Sequence, residues 1–76
     1  MTVRQRLAEL KLHFTARELD VIEAVAKGMN NRDSALGLKL QELSIKNLVS
    51  VVMIKLNVDN RVKVALIARG IEPDSD

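Results

Sequence analysis

The sequence predicts an all-α protein, namely a compact four-helix domain containing a helix-turn-helix, with an extra helix at the N-terminus. Three observations support this fold class. Apolar residues recur three and four positions apart in most segments, which is the spacing of one helix face. Helix-capping residues precede these segments, and glycines follow two of them. Two of the predicted helices are separated by only a short turn.

The first segment, Thr2 to Lys11, has helix-forming composition, and Thr2 can cap it. Its apolar face is thin, because only Leu7 and Leu10 contribute at helical spacing. We therefore expect a peripheral or frayed helix within an N-terminal extension, residues 1–13.

The second segment opens with a capping box of Thr15 and Glu18, in which each residue bonds a backbone N–H that the helix leaves unpaired. A helix is expected from Ala16 to about Lys27, where Gly28 stops it. Glu18 is predicted to be the capping partner and a member of an internal ion pair. The apolar stripe of this helix comprises Leu19, Val21, Ile22, Val25 and Ala26.

Two helices joined by a tight connection follow. Asn30 and Asp33 form a weaker capping pattern that opens a short helix, in which Ala35 and Leu38 face inward and Gly37 lowers the helix stability. The next helix is marked, at spacings of three and four, by Ile45, Val49, Val52, Met53 and Leu56.

The last helix starts after Asn57, Asp59 and Asn60 break the pattern, and either Asp59 or Asn60 can cap it. Gly70 stops it, and residues 72–76 form an acidic tail. One side of this helix carries Val62, Ala65, Leu66 and Arg69.

Composition limits the class of protein. Seventy-six residues with 47% apolar and 29% charged side chains make one globular domain. No apolar run reaches the roughly 20 residues that span a bilayer, and the N-terminus shows no secretory pattern. The absence of cysteine excludes disulfides and thiolate metal sites. We expect a cytoplasmic protein without membrane association.

The charge is mildly basic once the tail is set aside. The net charge is +2, and three of the acidic residues, Glu72, Asp74 and Asp76, lie in the tail. Without these three, 12 basic residues face 7 acidic ones, a net charge of +5. That balance permits binding to nucleic acid without requiring it.

Enzyme chemistry has almost no support in this sequence. His13 has no clustered Cys, Asp or Glu at ligand spacing, so no metal site is predicted. No nucleophile with a base, no pair of catalytic carboxylates and no phosphate-binding glycine loop is present. We expect a non-enzyme that uses no cofactor, metal or small molecule.

Five short elements occur in a specific order: the opening TARE, the stop KG, the segment NRD, the segment IKNLVS and the junction KLNVDNR. In order and spacing they resemble the LuxR-type, or GerE-type, helix-turn-helix domain of bacterial transcription regulators, over residues 14–71. The resemblance implies four helices, of which the third enters the DNA major groove and the last pairs two copies. It also implies a palindromic target in double-stranded DNA.

The resemblance places the DNA-facing helix at residues 42–56. Lys46 can contact a guanine edge or a phosphate, Asn47 can donate and accept in the groove, and Ser50 can bond base or backbone. The same side chains would also suit an ordinary solvated helix face. The family's positions for DNA contact fall on Leu43, Lys46, Asn47 and Ser50, with phosphate contacts near Asn30, Asn31 and Lys55. Its homodimer contact falls on Val62, Ala65, Leu66 and Arg69. Arg61 can bond a phosphate or the preceding helix, and the structural role is favoured.

The chain departs from the family pattern mainly on the DNA-facing helix. A rotation of 100° per residue puts Leu43, Asn47, Ser50 and Ile54 on the side away from Ile45, with Val51 beside them. Leu48, Val51 and Ile54 replace a histidine and polar or basic residues. Ser34 stands where the family has a buried Ile, leaving either a void or a hydroxyl bonded to the preceding turn. Gln41 is a poor cap, so this helix is expected to begin nearer Ser44.

Two hypotheses follow from these features. The first is a sequence-specific, dimeric DNA-binding domain of a transcription regulator. The second is a protein-interaction or self-associating module on the same fold, because exposed apolar side chains in a cluster mark an interface. The apolar side chains assigned to that alternative protein interface are Leu36, Leu43, Leu48, Val51 and Ile54.

Overall fold

The computed structural model describes residues 2–10 and 12–70. They form five helices, which confirms the all-α fold class and the extra N-terminal helix. The helices are α1 (Val3–Glu9), α2 (Ala16–Ala26), α3 (Asn31–Leu38), α4 (Glu42–Leu56) and α5 (Arg61–Ala68). No strand occurs in these two ranges, and no helix in them is long and apolar enough to cross a membrane. The predicted acidic tail lies outside the described residues.

The core lies around α2, which contacts all four other helices. Helix α4 packs on α2, α3 and α5, and α1 packs on α2 and α5. Aliphatic side chains fill the space between them, as expected for helices that each bury one apolar face. The buried cluster comprises Leu7, Val21, Ile22, Val25, Ala35, Ile45, Val49, Val52, Val64 and Ala68.

The expectation of a peripheral or frayed α1 is wrong. Leu7 is only 1% exposed and belongs to the core cluster, and Thr2 forms a capping box with Gln5. Arg4 forms ion pairs with Asp20 at 2.6 Å and with Glu23. Leu7 is buried with side chains of the other helices, Val3 packs against the same cluster, and α1 contacts both α2 and α5, a long-range placement that local spacing does not reveal.

The local capping predictions are largely confirmed. The Thr15 and Glu18 capping box is present, and Gly28 follows α2 with a φ of 82°. The Asn30 side chain accepts from the backbone N–H of Asp33. Of the two candidates at the start of α5, Asn60 is the cap, and its side chain accepts from the N–H of Lys63 at 3.0 Å.

Helix α4 covers residues 42–56, the range that the family resemblance implied, although the poor cap had suggested a start nearer Ser44. Gln41 makes no side-chain capping bond, as expected, yet the helix starts at Glu42 rather than near Ser44. The N–H of Ile45 donates to the carbonyl of Gln41, and the Ile45 side chain is fully buried. Burial of this side chain therefore holds the first turn in place without a cap.

Ser34 resolves the two alternatives left by the sequence. Its side chain is fully buried, and its hydroxyl donates to the carbonyl of Asn30 at 2.8 Å. The hydroxyl thus satisfies itself within α3, as Ser side chains in helices often do. The end of α3 was not predicted in detail: Lys39 adopts a left-handed conformation there, with a φ of 59°.

Candidate nucleic-acid interface

Helices α3 and α4 form the helix-turn-helix, with the turn at residues 39–41. Both helices contact α2, and α4 also contacts α5, so one side of α4 is covered along its length. The opposite side remains open, as the rotation of 100° per residue predicted. We call this open side the outer face of α4; its exposed residues are Leu43, Lys46, Asn47, Ser50, Val51 and Ile54.

The polar part of the outer face is available for a partner. The ammonium group of Lys46 and the side-chain amide of Asn47 make no hydrogen bond or ion pair within residues 2–10 and 12–70. Ser50 donates to the carbonyl of Lys46 at 3.0 Å, which leaves its oxygen able to accept. One cation, one amide and one hydroxyl therefore lie along the same side of the helix.

The apolar part of the outer face is equally open. Leu43 is 63% exposed, Ile54 is 78% exposed and Val51 is also exposed. Leu36 on α3 is 71% exposed. Leu48 differs from the expectation that it belongs to this apolar surface, because it is half-buried and packs against the core cluster. Its place at the edge of the helix lets it lean inward.

Lys55 is held inside the domain. Its ammonium group lies 2.7 Å from the carboxylate of Glu18, donates to the carbonyl of His13 at 2.9 Å, and sits 5.7 Å from the centre of the Phe14 ring. The family resemblance implied a phosphate contact near Lys55, but in the structure its ammonium group is bonded inside the domain and does not join the outer face. The predicted internal ion pair of Glu18 is confirmed, and its partner is Lys55.

The charge of Glu18 is stabilised despite burial. Burial alone raises the pKa of the Glu18 carboxyl, but hydrogen bonds from Lys55 and from the backbone N–H of Thr15 outweigh it. The pKa is consequently lowered from its ordinary value. The pair joins α4 to the start of α2, so it positions the helix that carries the outer face.

The two asparagines predicted to contact phosphate also have structural partners. Asn30 caps α3, as described, and the side-chain oxygen of Asn31 accepts from Arg61 at 2.6 Å. Arg61 donates further to the carbonyl of Met29 at 2.8 Å. The favoured structural role of Arg61 is confirmed, although its partners precede and begin α3 rather than belong to the preceding helix. No local pattern reveals this link, since Arg61 lies 30 residues from Asn31.

Two cations that sequence reasoning did not select stand exposed in the helix-turn-helix. Arg32 lies in the first turn of α3 and Lys39 ends it. Neither forms an ion pair or hydrogen bond with the described part of the chain. A sequence signal for them exists: both are basic residues in the helix-turn-helix, and neither has an acidic residue three or four positions away on the same helix.

The predicted dimer side of α5 is partly open. Val62 is 64% exposed and Arg69 is exposed, whereas Ala65 and Leu66 are half-buried. The four residues lie at intervals of three, one and three, which places them on one side of the helix. Val64 of the same helix is buried in the core.

The described residues contain no group of three or more His, Asp or Glu side chains that could hold a metal ion. A shallow groove of about 210 Å³ lies between α2 and α3, away from the outer face of α4. It is lined by Asp20, Glu23, Ala24, Lys27, Met29, Ser34, Gly37 and Leu38.

Comparison with known proteins gives a consistent result. Residues 12–68 match the family model GerE, described as bacterial regulatory proteins of the luxR family. The glycerol metabolism activator of Pseudomonas putida is 39% identical over 64 residues, covering 84% of this chain and 29% of that protein. The transcriptional regulatory protein DesR of Bacillus subtilis is 37% identical over 50 residues, covering 66% of this chain and 25% of that protein.

A third relative is the uncharacterized transcriptional regulatory protein YhcZ of Bacillus subtilis, with 39% identity over 55 residues, 72% of this chain and 26% of that protein. The chain thus spans between 25% and 29% of the length of these relatives. No solved structure gives a significant match. The matched family and the named relatives are regulators, not enzymes.

Proposed function

Because the chain belongs to the luxR family of bacterial regulatory proteins and carries its DNA-binding helix-turn-helix domain, we propose that it binds one specific sequence of double-stranded DNA through the outer face of α4. The observation that carries this proposal is the exposed polar row of Lys46, Asn47 and Ser50 on the open side of α4. The proposed setting is the bacterial cytoplasm, and the proposed outcome is regulation of transcription.

The chemistry of the row suits the major groove. A lysine donates to guanine acceptors, an asparagine can donate and accept at adenine, and a serine hydroxyl serves either base or phosphate. Leu43 and Ile54 flank this row and can contact thymine methyl groups. The α4 helix supplies these groups from a rigid element, because its inner side is packed against three other helices.

Phosphate binding is assigned to different residues from those the family positions suggest. Lys55 and Asn30 are engaged inside the domain, and Asn31 is engaged through its oxygen. Arg32 and Lys39, together with Lys46, are exposed cations of the helix-turn-helix without intramolecular partners in residues 2–10 and 12–70. Three such cations correspond to a salt slope of about −3 per domain.

We further propose that α5 pairs two copies on a palindromic site. Val62 supports this, since a 64% exposed valine on the side shared with Leu66 and Arg69 would be covered by a second α5. Pairing of two domains about a twofold axis matches two half-sites of a palindrome.

The proposed DNA binding is tested by selecting a duplex from a randomised pool and titrating it across a salt series. Lys46→Ala should weaken binding several-fold and reduce the magnitude of the salt slope by about 1. Lys27→Ala removes the same charge from the end of α2 and is the matched control, expected to leave the slope unchanged. Equal effects of the two substitutions would reject α4 as the DNA-binding element.

The apolar side chains of the outer face favour a second candidate function, contact with protein. Leu43, Val51 and Ile54 stand exposed, and burial of aliphatic side chains is worth about 1.5 to 3 kcal/mol each before the costs of association. DNA phosphates give these side chains no comparable gain. Loss of a partner-dependent signal in Ile54→Arg, with DNA affinity rising rather than falling, would favour this function over the first.

A further inference from the structure

The outer face of α4 contains a regular stripe. Leu43, Asn47, Ser50 and Ile54 are all exposed and follow one another at intervals of four, three and four. These are the intervals of the core positions in a two-helix coiled coil. The stripe is about 16 Å long, from 11 steps of 1.5 Å, and its apolar members stand at its two ends.

The order of side chains in the stripe is symmetric about its midpoint. When a second, identical helix is laid against it in the antiparallel direction, Leu43 faces Ile54 of the second copy at both ends. In the middle, Asn47 faces Ser50 of the second copy. Each layer is therefore chemically matched, aliphatic with aliphatic and amide with hydroxyl, as a twofold interface requires.

We propose that the outer face of α4 binds the same face of a second copy of this chain, with the two α4 helices antiparallel. A shift of one helical repeat in either direction would place an aliphatic side chain opposite Asn47 or Ser50 and lose matched layers. The antiparallel direction also opposes the two helix dipoles and keeps the Lys46 side chains of the two copies apart along the axis.

The size of the stripe makes this dimer transient. Each copy offers only three exposed aliphatic side chains, Leu43, Val51 and Ile54, so the paired faces bury less than the roughly 1,200 Å² below which contacts are weak. The two domains also repel each other, because residues 1–71 carry a net charge of +5. Added salt screens that repulsion and should strengthen the pairing, whereas it weakens contacts to DNA phosphates.

Self-pairing would cover Lys46, Asn47 and Ser50, so a paired domain could not use them on DNA. The pairing does not depend on the proposed DNA binding. The competition between pairing and DNA for these three side chains does rest on that proposed function. The dimer proposed for α5 uses a different helix and does not cover the outer face of α4. The two contacts between copies therefore differ in the helix that each one covers.

Cysteine cross-linking of the full chain tests the pairing, because the chain has no native cysteine. Leu43→Cys and Ile54→Cys are introduced into separate chains, one of them carrying a mass tag, and the two are mixed under mild oxidation without DNA. The antiparallel pairing should give mixed disulfide several-fold faster than either variant alone, since only the mixture brings the two sulfurs within bonding distance. The rate should rise with salt.

Leu43→Cys mixed with Lys27→Cys measures random collision, because Lys27 is exposed at the end of α2. A Leu43–Ile54 rate no higher than this control overturns the proposal. Equally fast cross-linking of each variant with itself overturns it as well, since that outcome is parallel pairing. Retention of the helical circular dichroism signal and melting midpoint shows that both variants fold, as expected for exposed positions.

A second measurement separates failure of this inference from failure of the proposed function. A duplex selected by the parent chain is added to the Leu43→Cys and Ile54→Cys mixture, and slower cross-linking is expected. Cross-linking of the two variants above the control, together with a parent chain that selects and binds no duplex in the salt series, supports self-pairing and rejects the proposed DNA binding. Duplex binding without cross-linking above the control supports the proposed DNA binding and rejects self-pairing.

Discussion

The inner and outer faces of α4 carry similar side chains in opposite surroundings. Ile45, Val49 and Val52 on the inner face are buried against the other helices, whereas Leu43 and Ile54 on the outer face are mostly exposed. Both faces are aliphatic, so residue type alone does not separate them. The inner face stabilises the fold through its buried side chains, whereas the outer face remains exposed to solvent. We propose that the exposed face is the one that binds a partner.

The largest effect is expected from Ile45→Ala on the inner face. It removes a fully buried side chain and should lower the free energy of unfolding by about 3 to 4 kcal/mol. Leu43→Ala on the outer face should change it by less than about 0.5 kcal/mol. Urea denaturation at low protein concentration measures both. A comparable loss for Leu43→Ala would show that the single domain needs its outer face to fold.

Leu7→Ala tests whether the inner core extends to α1. Leu7 is buried with the side chains of the four-helix domain, so truncation should cost about 2 to 3 kcal/mol. Leu10→Ala is the control in the same segment, because that side chain is exposed and should lose less than about 1 kcal/mol. Denaturation curves of the two variants test whether α1 belongs to the core. If α1 were peripheral, both variants would show the same small loss of stability.

The starts and ends of helices were predictable from sequence wherever residues a few positions apart determine them. The capping residues Thr15, Asn30 and Asn60 and the stop at Gly28 act within a few positions along the chain, and their roles were predicted from sequence. The burial of Leu7 was not predicted, because contacts with distant helices decide it.

Helix geometry predicted an outward side with Leu43, Asn47, Ser50, Val51 and Ile54, and all five are exposed. Leu48, which was assigned to the alternative protein interface, is half-buried. Neither helix geometry nor the family resemblance revealed that Lys55 pairs with Glu18, which lies 37 residues away. From sequence alone, a lysine near the end of a helix is expected to be free to bind phosphate. In the fold, the buried carboxylate of Glu18 pairs with this one. Sequence patterns therefore predicted which side chains point outward, but not which of them find partners inside the domain.

The ion pair of Glu18 with Lys55, on the inner side of α4, makes the stability of the domain depend on pH. The hydrogen bonds of Glu18 with Lys55 and Thr15 lower its pKa against the opposing effect of burial, so its contribution to stability is fully present above the ordinary value of 4.5. That contribution is lost as the pH falls through the lower pKa of the folded state. Glu18→Gln should cost about 2 kcal/mol at neutral pH and flatten the loss of stability below pH of about 4.5.

Asp59 is the control for that pair. The hydrogen bond from Lys63 lowers the pKa of Asp59 as well, but this ion pair is exposed to solvent, where such pairs contribute little. Asp59→Asn should therefore leave the unfolding midpoint almost unchanged in denaturation series at several pH values. An equal loss in the two variants would mean that burial of Glu18 adds nothing to the pair.

A small effect of the opposite sign, a gain in stability, is expected from Gly37→Ala in α3, which lies outside both faces of α4. An added Cβ would meet only the terminal methyl carbon of Met29, at an ordinary contact distance of 3.7 Å. Alanine restricts the unfolded chain more than glycine and favours the helix, so the substitution should stabilise the domain by about 0.5 to 1 kcal/mol. Gly28→Ala is the opposite case: nothing lies near its added Cβ, but the φ of 82° disfavours alanine and should make the change destabilising. If the inner face governs stability and the outer face governs partners, Gly37→Ala raises the thermal midpoint and leaves both the DNA salt slope and the Leu43–Ile54 cross-linking rate unchanged.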